Sequence, residues 1–325
     1  MKRITAFIAA AAICIGFSAQ AQMYTLRQVL SPITDLLLCE GDGYFLGVYD
    51  LHHAPCKSIK EMHDVKGTPD MMVQKTVLKQ GFGDLQPGTY IYAAKYNEAG
   101  LPRTIIDQSA REEKLHIIYN QNRIKAMGLM KKVETRWGTE DRADVTHYFY
   151  NAAGKLTKEV YNMKTLDGKG DWQREPSFTN DVDWEYLYNG NGQLSSAKPK
   201  HNNGLVHYNS QGLISSIDKD GITAYKYAYD ANGQLASVTA LIVDDGPEGC
   251  DYYRLTTTFT RDAKGNIVKA VKQRDICNDN FKVLRKGSTK TYAIAYTYDA
   301  KANWTKAVIT RGKALIGTIT RKFTY

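Results

Sequence analysis

Residues 229–235 read Tyr-Asp-Ala-Asn-Gly-Gln-Leu, and related phrases begin at seven further positions between residue 96 and the end of the chain. The clear copies begin at Tyr150, Tyr188 and Tyr208, and the weaker ones begin at Tyr96, Tyr119, Arg261 and Tyr298. The Asn or Asp side chain can bond the backbone two residues further on, and the Gly that usually follows tolerates a positive φ angle. The phrase therefore predicts a tight turn between two antiparallel strands.

The segments before the turns place large side chains at every second position, as in Tyr225, Tyr227 and Tyr229. A period of two is that of one face of a β-strand. Eight copies predict an all-β fold, an antiparallel meander of β-hairpin repeats with roughly sixteen strands. Because open twisted sheets seldom exceed about ten strands without curling, we expect an open trough, a spiral or an open barrel.

The chain divides into three segments. Residues 1–21 carry Lys2 and Arg3, an apolar run and a final Ala-Gln-Ala, which is typical of a signal peptide. Residues 22–88 lack the repeated phrase and are interpreted as a small N-terminal cap. Residues 89–325 form the predicted repeat domain. The protein is thus expected to be exported, whether periplasmic, on the cell surface or extracellular.

The repeated phrase resembles the YD repeat of the RHS family, in which Tyr-Asp is followed by two variable residues, a Gly and an aliphatic residue. The resemblance covers roughly the last two-thirds of the chain. In large members of that family the repeats coil into a β-shell that encloses a toxin, and the resemblance implies an association with carbohydrate. Large members end their core in an Asp-Pro self-cleavage motif, whereas the last proline here is Pro247. The resemblance therefore implies a short secreted member without a toxin.

The charge of the chain disfavours two classes of partner. The net charge is +9 and falls by two when Lys2 and Arg3 leave with the leader, but the remaining basic residues are spread rather than clustered. No nucleic-acid motif accompanies them, so nucleic acid is not a predicted partner. Beyond the leader, no segment reaches the roughly 18–20 apolar residues of a membrane span.

An outer-membrane barrel is an alternative for alternating strands behind a leader, and the chain ends with Phe323 and Tyr325. Against this reading, Arg321 shares their face and lysines such as Lys226 and Lys306 recur on other strands. A charge on a lipid face costs about 2–4 kcal/mol at the bilayer centre, which disfavours the barrel.

Four cysteines remain after removal of the leader, and an even number in an exported chain favours disulfides. We expect pairs between Cys39 and Cys56 and between Cys250 and Cys277. The second pair is equidistant from the turn at 262–265, which places the two thiols opposite each other unless a bulge intervenes. The alternative, two free buried thiols, stays open.

The sequence offers little for catalysis or metal binding. His52 and His53 are adjacent, so on a strand they point to opposite faces and do not hold one ion together. The segment 167–171 resembles a calcium loop but has Lys at a ligand position. No nucleophile elbow or phosphate-binding loop is present. We therefore expect neither an enzyme, a metal nor a cofactor.

The long segments between repeats all fall on the sheet edge opposite the turns, and two of them contain tryptophans with basic neighbours. These candidate ligand-binding residues are Trp137, Trp172, Arg136, Arg142 and Arg174. Loops on a rigid sheet often carry recognition, and Trp combines a flat apolar face with a polar edge. Local packing of both rings is the alternative.

Two functions follow from these observations. The first is a secreted non-enzymatic β-repeat protein that binds a polysaccharide or an envelope protein. The second is a structural or assembly protein of the cell envelope with no small ligand.

Overall fold

The structure is a computed structural model that describes residues 32–38, 65–82, 85–108, 114–120, 123–135, 138–165, 184–199, 204–219, 221–246 and 249–325. The predicted signal peptide and the predicted disulfide between Cys39 and Cys56 lie outside these residues.

The repeated phrase forms the turn that its residues predict. At Asp230 the carboxylate Oδ1 accepts hydrogen bonds from the backbone N–H groups of Asn232 and Gln234, both at 2.9 Å. The N–H of Gly233 donates to the carbonyl oxygen of Asp230 at 3.0 Å, and Gly233 has a φ of 74°. That backbone conformation is open to Gly at little cost, which explains the glycine of the phrase.

The described chain forms one short helix and nineteen strands, and every strand pair is antiparallel. The helix is α1 (Pro32–Leu38). The strands are β1 (Met71–Leu78), β2 (Gly88–Tyr96), β3 (Pro102–Asp107), β4 (Lys114–Asn120), β5 (Arg123–Thr135), β6 (Gly138–Tyr150), β7 (Leu156–Thr165), β8 (Trp184–Tyr188), β9 (Leu194–Pro199), β10 (Leu205–Tyr208), β11 (Ile214–Lys219), β12 (Ile222–Tyr229), β13 (Leu235–Gly246), β14 (Gly249–Arg261), β15 (Ile267–Cys277), β16 (Val283–Arg285), β17 (Thr289–Tyr298), β18 (Trp304–Arg311) and β19 (Ala314–Thr324).

The sheet closes on itself. Strand β1 pairs with β2 on one side and with β19 on the other, in a register that runs from Met71 opposite Thr324 to Leu78 opposite Gly317. Strand β15 pairs directly with β17, so the short β16 stands beside the ring formed by the other eighteen strands. The structure is a closed antiparallel β-barrel.

Closure corrects the expectation of an open trough, spiral or open barrel. The strand that closes the ring, β1, comes from residues 22–88, where the sequence carries no turn phrase. The described chain therefore does not form the β-shell of the YD repeats in large members of the RHS family, and the resemblance to that family is wrong as a guide to the architecture. An even number of sequential antiparallel strands allows the last strand to run antiparallel to the first, and so to satisfy both edges.

The barrel interior is packed. In β1 the inward residues Met72, Gln74, Thr76 and Leu78 are all at most 3 % exposed, while Lys75 on the other face is exposed. The inward side chains of successive strands form one hydrophobic cluster. Helix α1 belongs to the same cluster and contacts β15. Within the described residues no helix has the length and apolarity needed to cross a membrane.

The two ends of the barrel differ. The uniform rim carries the Asx turns, such as those at 151–155, 189–193 and 230–234. The opposite end, which we call the variable edge, carries connections of unequal length, from two residues between β18 and β19 to eighteen between β7 and β8, with eleven between β15 and β17, a stretch that includes β16.

The predicted disulfide between Cys250 and Cys277 is wrong. Cys277 is a free, buried thiol. The turn closes with Arg261 opposite Ile267, and a bulge between Thr260 and Arg261 shifts the register of β14 against β15 by one more residue, so that Cys277 lies opposite Tyr252 rather than Cys250. Because Cys250 is two residues from Tyr252 along β14, the Cα atoms of Cys250 and Cys277 are roughly 8 Å apart, which is too far for a disulfide.

Candidate ligand-binding site at the variable edge

The described part of the variable edge holds a cluster of aromatic and arginine side chains where β14 and β15 meet the connection 278–288. Its members, which we call the aromatic–arginine cluster, are Tyr252, Tyr253, Arg254, Arg274 and Phe281. All five side chains are partly exposed. Partly exposed aromatic and arginine residues at the end of a rigid sheet are typical of a recognition site.

One half of the cluster faces the inside of the barrel. Arg274 lies opposite the buried Leu255, and Tyr253 is two residues from Leu255 on the same strand, so both side chains share its face. The Arg274 guanidinium lies over the Tyr253 ring at 3.7 Å from its centroid. The Tyr253 hydroxyl donates to Oδ2 of Asp251 at 3.0 Å. This stack presents a flat aromatic face with a charge and hydroxyls at its border.

The other half lies on the outer face. Tyr252 and Phe281 meet edge to face with their ring centroids 5.4 Å apart. Arg254 donates from Nη2 to the carbonyl oxygen of Phe281 at 2.7 Å, which ties the connection to β14. The cluster therefore wraps over the end of the sheet from the inner face to the outer one.

Phe281 occupies a strained backbone position. The segment 278–282 repeats the Asx turn, because Lys282 N–H donates to Asn278 Oδ1 at 2.9 Å and Phe281 N–H donates to Asn278 O at 2.9 Å. Phe281 takes the place of the glycine and has a φ of 54°. A bulky side chain in the left-handed region costs about 1–2 kcal/mol, and such strain concentrates at functional sites.

The connection is also fixed at its far end. The backbone of Gly287 approaches β15 so closely that a Cβ there would lie 2.0 Å from the carbonyl oxygen of Arg274. The Arg274 N–H donates to Ser288 O at 2.9 Å. Glycine at 287 is required by this contact, and it holds the connection against the arginine of the cluster.

The connection is cationic and partly apolar on its outside. Lys282, Arg285 and Lys286 are exposed, and Leu284 is 66 % exposed. Asp279 is exposed beside them. An exposed leucine flanked by basic side chains and next to stacked aromatics is suited to a ligand with apolar faces and anionic or hydroxyl groups.

Two other polar pairs of the described chain belong elsewhere. His207 Nε2 lies 2.8 Å from Asp218 Oδ2 on the outer face. Burial raises the pKa of Asp218, but hydrogen bonds from Thr223 and His207 outweigh it and bring that pKa below its usual value. Inside the barrel, the Tyr186 hydroxyl donates to Glu159, and burial raises the pKa of Tyr186 well above its usual value. In each pair, the two side chains are hydrogen-bonded to each other within the sheet.

Among the described residues no group of three or more histidine, cysteine, aspartate or glutamate side chains is placed to hold a metal ion.

The residues predicted from the sequence only partly fall within the described chain. Trp137, Trp172, Arg136 and Arg174 lie outside it. Arg142 is part of β6, opposite Thr165 of β7 and Lys131 of β5.

Sequence reasoning missed the aromatic–arginine cluster. The signal was present in Asn278, which begins an Asx phrase on the variable edge, and in the run Tyr252, Tyr253 and Arg254 behind the preceding connection. Neither stretch differs in composition from ordinary strand residues, so only the register shows that they meet.

Comparison with known proteins gives neither a family nor a close relative. No family model and no curated protein matches the chain. A solved porin-like protein from Bacteroides uniformis is 11 % identical over 78 % of this chain and 97 % of its own, with a TM-score of 0.30. A porin-like protein from Bacteroides vulgatus is 9 % identical over 79 % of this chain and 98 % of its own, with a TM-score of 0.29. The structure of TcdB2-TccC3-TEV is 17 % identical over 73 % of this chain and 12 % of its own, with a TM-score of 0.21.

Proposed function

We propose that the chain is an exported, non-enzymatic β-barrel that binds a carbohydrate or a cell-envelope partner at its variable edge. The observation that carries this proposal is the stack of Arg274 on Tyr253 at 3.7 Å, partly exposed at the mouth of a packed barrel. Stacked aromatics with polar borders suit sugar rings and protein hot spots alike. The leader pattern of residues 1–21 supports export.

The geometry supports recognition better than catalysis. In the described interior, the buried Tyr186 hydroxyl donates a hydrogen bond to the buried Glu159 carboxylate. Neither residue belongs to the partly exposed cluster. The cluster itself combines rings and guanidinium groups, and two carboxylates border it: Asp251, which accepts the Tyr253 hydroxyl, and Asp275, which lies opposite Arg254. This set binds and orients a ligand but contains no nucleophile with an adjacent base.

The assembly alternative depends on a free strand edge. Pairing of β1 with β19 leaves every strand of the ring with two partners, and within the described sheet only β16 has one. Assembly by edge pairing between chains is therefore less well supported than binding at the variable edge.

The proposal is tested by a glycan array and an envelope-extract pull-down with residues 22–325. The cluster variant carries Tyr252→Ala and Phe281→Ala. The matched control is Tyr325→Ala, which removes an exposed aromatic that lies under the amino group of Lys301 at the uniform rim. We expect the cluster variant to lose at least tenfold in affinity, the size expected for aromatic hot spots, and the control to bind as the parent does. Equal binding by all three proteins would remove the cluster from the proposal.

The tryptophans define a second arm of the same experiment. Replacement of Trp137 and Trp172 by Ala is expected to abolish binding while the β-sheet circular dichroism and melting temperature stay nearly unchanged. Loss of binding in this variant alone would move the site along the variable edge toward β6 and β8. Unfolding of the variant would show that the two rings are packed in the core.

A further inference from the structure

Five neighbouring strands on one side of the barrel contain no acidic residue. In ring order they are β17, β18, β19, β1 and β2, which include the seam where the barrel closes. They carry seven basic residues, namely Lys75, Lys95, Lys290, Lys306, Arg311, Arg321 and Lys322. Of the other strands, β3, β5, β6, β7, β11, β14 and β15 carry both acidic and basic residues, as β14 and β15 do with Asp251 and Asp275.

Four of these lysines point outward and are exposed, and we call them the basic panel: Lys75, Lys95, Lys306 and Lys322. Lys306 of β18 and Lys75 of β1 both lie opposite Thr320 of β19, so the two lysines belong to one cross-strand row. Two strand spacings separate the two amino groups by roughly 10 Å at their bases.

The other two lysines extend the panel toward the uniform rim. Lys322 is two residues beyond Thr320 on the same face of β19. Lys95 lies opposite Met71, which lies opposite Thr324, one further step along the sheet. The four amino groups therefore form a band across three to four strands.

The surface between the lysines is rich in hydroxyl groups. Its outward positions include Thr297, Thr318 and Thr320, with Val73 and Val77 between them. The large exposed apolar side chains nearby, Leu315 and Tyr325, stand at the two ends of the seam rather than within the panel.

The acids nearest to the panel in the described chain sit on the uniform rim, at Asp70, Glu98 and Asp299. Asp299 Oδ1 already accepts the backbone N–H groups of Lys301 and Asn303 within its turn. The lysines of the panel thus face solvent as a group of one sign, and a set of like charges attracts an anionic partner.

We propose that the basic panel is a docking surface for a linear polysaccharide that bears carboxylate groups. Lysine ammonium groups spaced along a band match a polymer with regularly spaced anions, and the threonine hydroxyls match its sugar hydroxyls. This surface is distinct from the aromatic–arginine cluster, since it acts through charge rather than through ring stacking.

Two other anionic partners fit the panel less well. A lipid surface is normally held by apolar side chains inserted beside the basic ones, and the apolar side chains between the lysines, Val73 and Val77, are small and only partly exposed. Single-stranded nucleic acid is held by aromatic side chains on which bases stack, and the outward positions of the panel carry Lys, Thr and small aliphatic residues.

The test uses the mature chain with alginate, a polyuronate, and dextran, an uncharged polysaccharide, in 50 mM salt (an assay condition at which the screening length is about 14 Å). The panel variant is Lys75→Gln, Lys306→Gln and Lys322→Gln. The control variant is Lys125→Gln, Lys198→Gln and Lys226→Gln, which removes the same charge from exposed positions of other strands. We expect the parent to bind alginate and not dextran, and the panel variant to lose roughly tenfold in affinity, because three exposed charge pairs are removed.

The control variant is expected to stay within about twofold of the parent. Equal losses in both variants would mean that net charge alone attracts alginate, and failure of the parent to bind alginate would overturn the panel outright. Stronger binding to vesicles with an anionic phospholipid than to alginate would also overturn it. Loss of alginate binding in the Tyr252→Ala and Phe281→Ala variant, with the panel variant unchanged, would assign alginate to the variable edge and overturn the panel, so that failure of the variable-edge proposal and failure of the panel give different results.

Discussion

The hydroxyl of Tyr188 donates a hydrogen bond of 2.7 Å to the carbonyl oxygen of Leu156. Tyr188 begins one turn phrase, and Leu156 begins the strand that follows the preceding phrase, so the bond ties one repeat to the previous one. Lys155, the neighbour of Leu156, also lies over the Tyr188 ring at 5.2 Å. The same bond recurs from Tyr119 to Pro102, from Tyr150 to Ile124 and from Tyr229 to Ile214 at 2.7–2.8 Å. The tyrosine of the phrase therefore holds neighbouring hairpins together at the uniform rim.

Removal of this bond should lower stability. Tyr188→Phe keeps the ring but leaves the Leu156 carbonyl without its side-chain donor, and we expect a loss of about 1 kcal/mol in the free energy of unfolding. Urea unfolding measures it. Tyr90→Phe is the matched control, since the Tyr90 hydroxyl bonds the carbonyl of Gln86 only four residues away at an exposed position. Equal losses at both positions would show that the bond between repeats has no special weight.

Ala302→Gly should stabilise the protein. Ala302 occupies the glycine position of the turn at 299–303 with a φ of 62°. Glycine relieves the left-handed strain, and after its greater freedom in the unfolded chain is counted we expect a gain of about 0.5–1 kcal/mol. Gly212→Ala is the inverse test, because a Cβ there would meet no atom within 4 Å and the substitution reports φ alone. It should lower stability by about 1 kcal/mol, and a melting temperature that rises in both variants would contradict the turn geometry.

Valine at the turn glycines should cost more than valine at Gly246. Gly192, Gly212 and Gly233 have φ angles of 71–75°, whereas Gly246 ends β13 and is not among the residues with positive φ. We expect each of the three turn variants to lose about 1–2 kcal/mol, compared by thermal unfolding under one set of conditions. Similar losses at all four positions would argue that strand propensity, not φ, sets the cost.

The seam between β19 and β1 should tolerate no side chain at Gly317. A Cβ there would lie 2.7 Å from Cδ2 of Leu78 and 2.9 Å from the carbonyl oxygen of Val77. We expect Gly317→Ala to cost about 1–3 kcal/mol through overpacking and to speed amide exchange in β1 and β19 first. Gly312→Ala, in the open hairpin between β18 and β19, should speed exchange only locally. Uniform protection in the Gly317 variant would mean that the seam yields without strain.

Stability should fall in mild acid because of His116. Burial, and then the nearby charges of Lys114 and Arg103, lower the pKa of His116 from 6.5 to about 4. The unfolded chain therefore takes up about one more proton than the folded one between these values, so this contribution is full above pH 6.5 and is lost as the pH falls toward 4. Urea midpoints at pH 7 and pH 4.5 should differ less in His116→Gln than in the parent. An unchanged difference would assign the acid sensitivity to other groups.

The turns of this fold can be predicted from the sequence because the residues that each turn requires lie within a few positions of each other. Asp230 must accept two backbone N–H groups within four residues, and Gly233 must adopt a positive φ, so both leave a mark within one short phrase. The closure is not local. Gln74 of β1 accepts a hydrogen bond at 3.0 Å from Arg321 of β19, 247 residues away. Nothing in the composition of β1 predicts that it pairs with β19.

The candidate site shows the same division. That the variable edge would differ from the uniform rim follows from the spacing of the phrases. That Arg274 would lie on Tyr253 depends on the bulge at Thr260 and Arg261, which also separates Cys277 from Cys250. A shift of one residue in register changes every cross-strand neighbour, and no sequence pattern within either strand predicts such a shift.

Closure by β19 sets the order in which the barrel can be completed. Ribosomes release the amino-terminal strands first, so β1 has no second partner until the eleven residues of β19, Ala314–Thr324, have emerged. Every shorter nascent chain exposes two sheet edges. The last pairing joins strands that lie near opposite ends of the described chain, and contacts between residues so far apart in sequence are the slowest to form. The edge of β1 that pairs with β19 is therefore the last to be covered as the barrel forms.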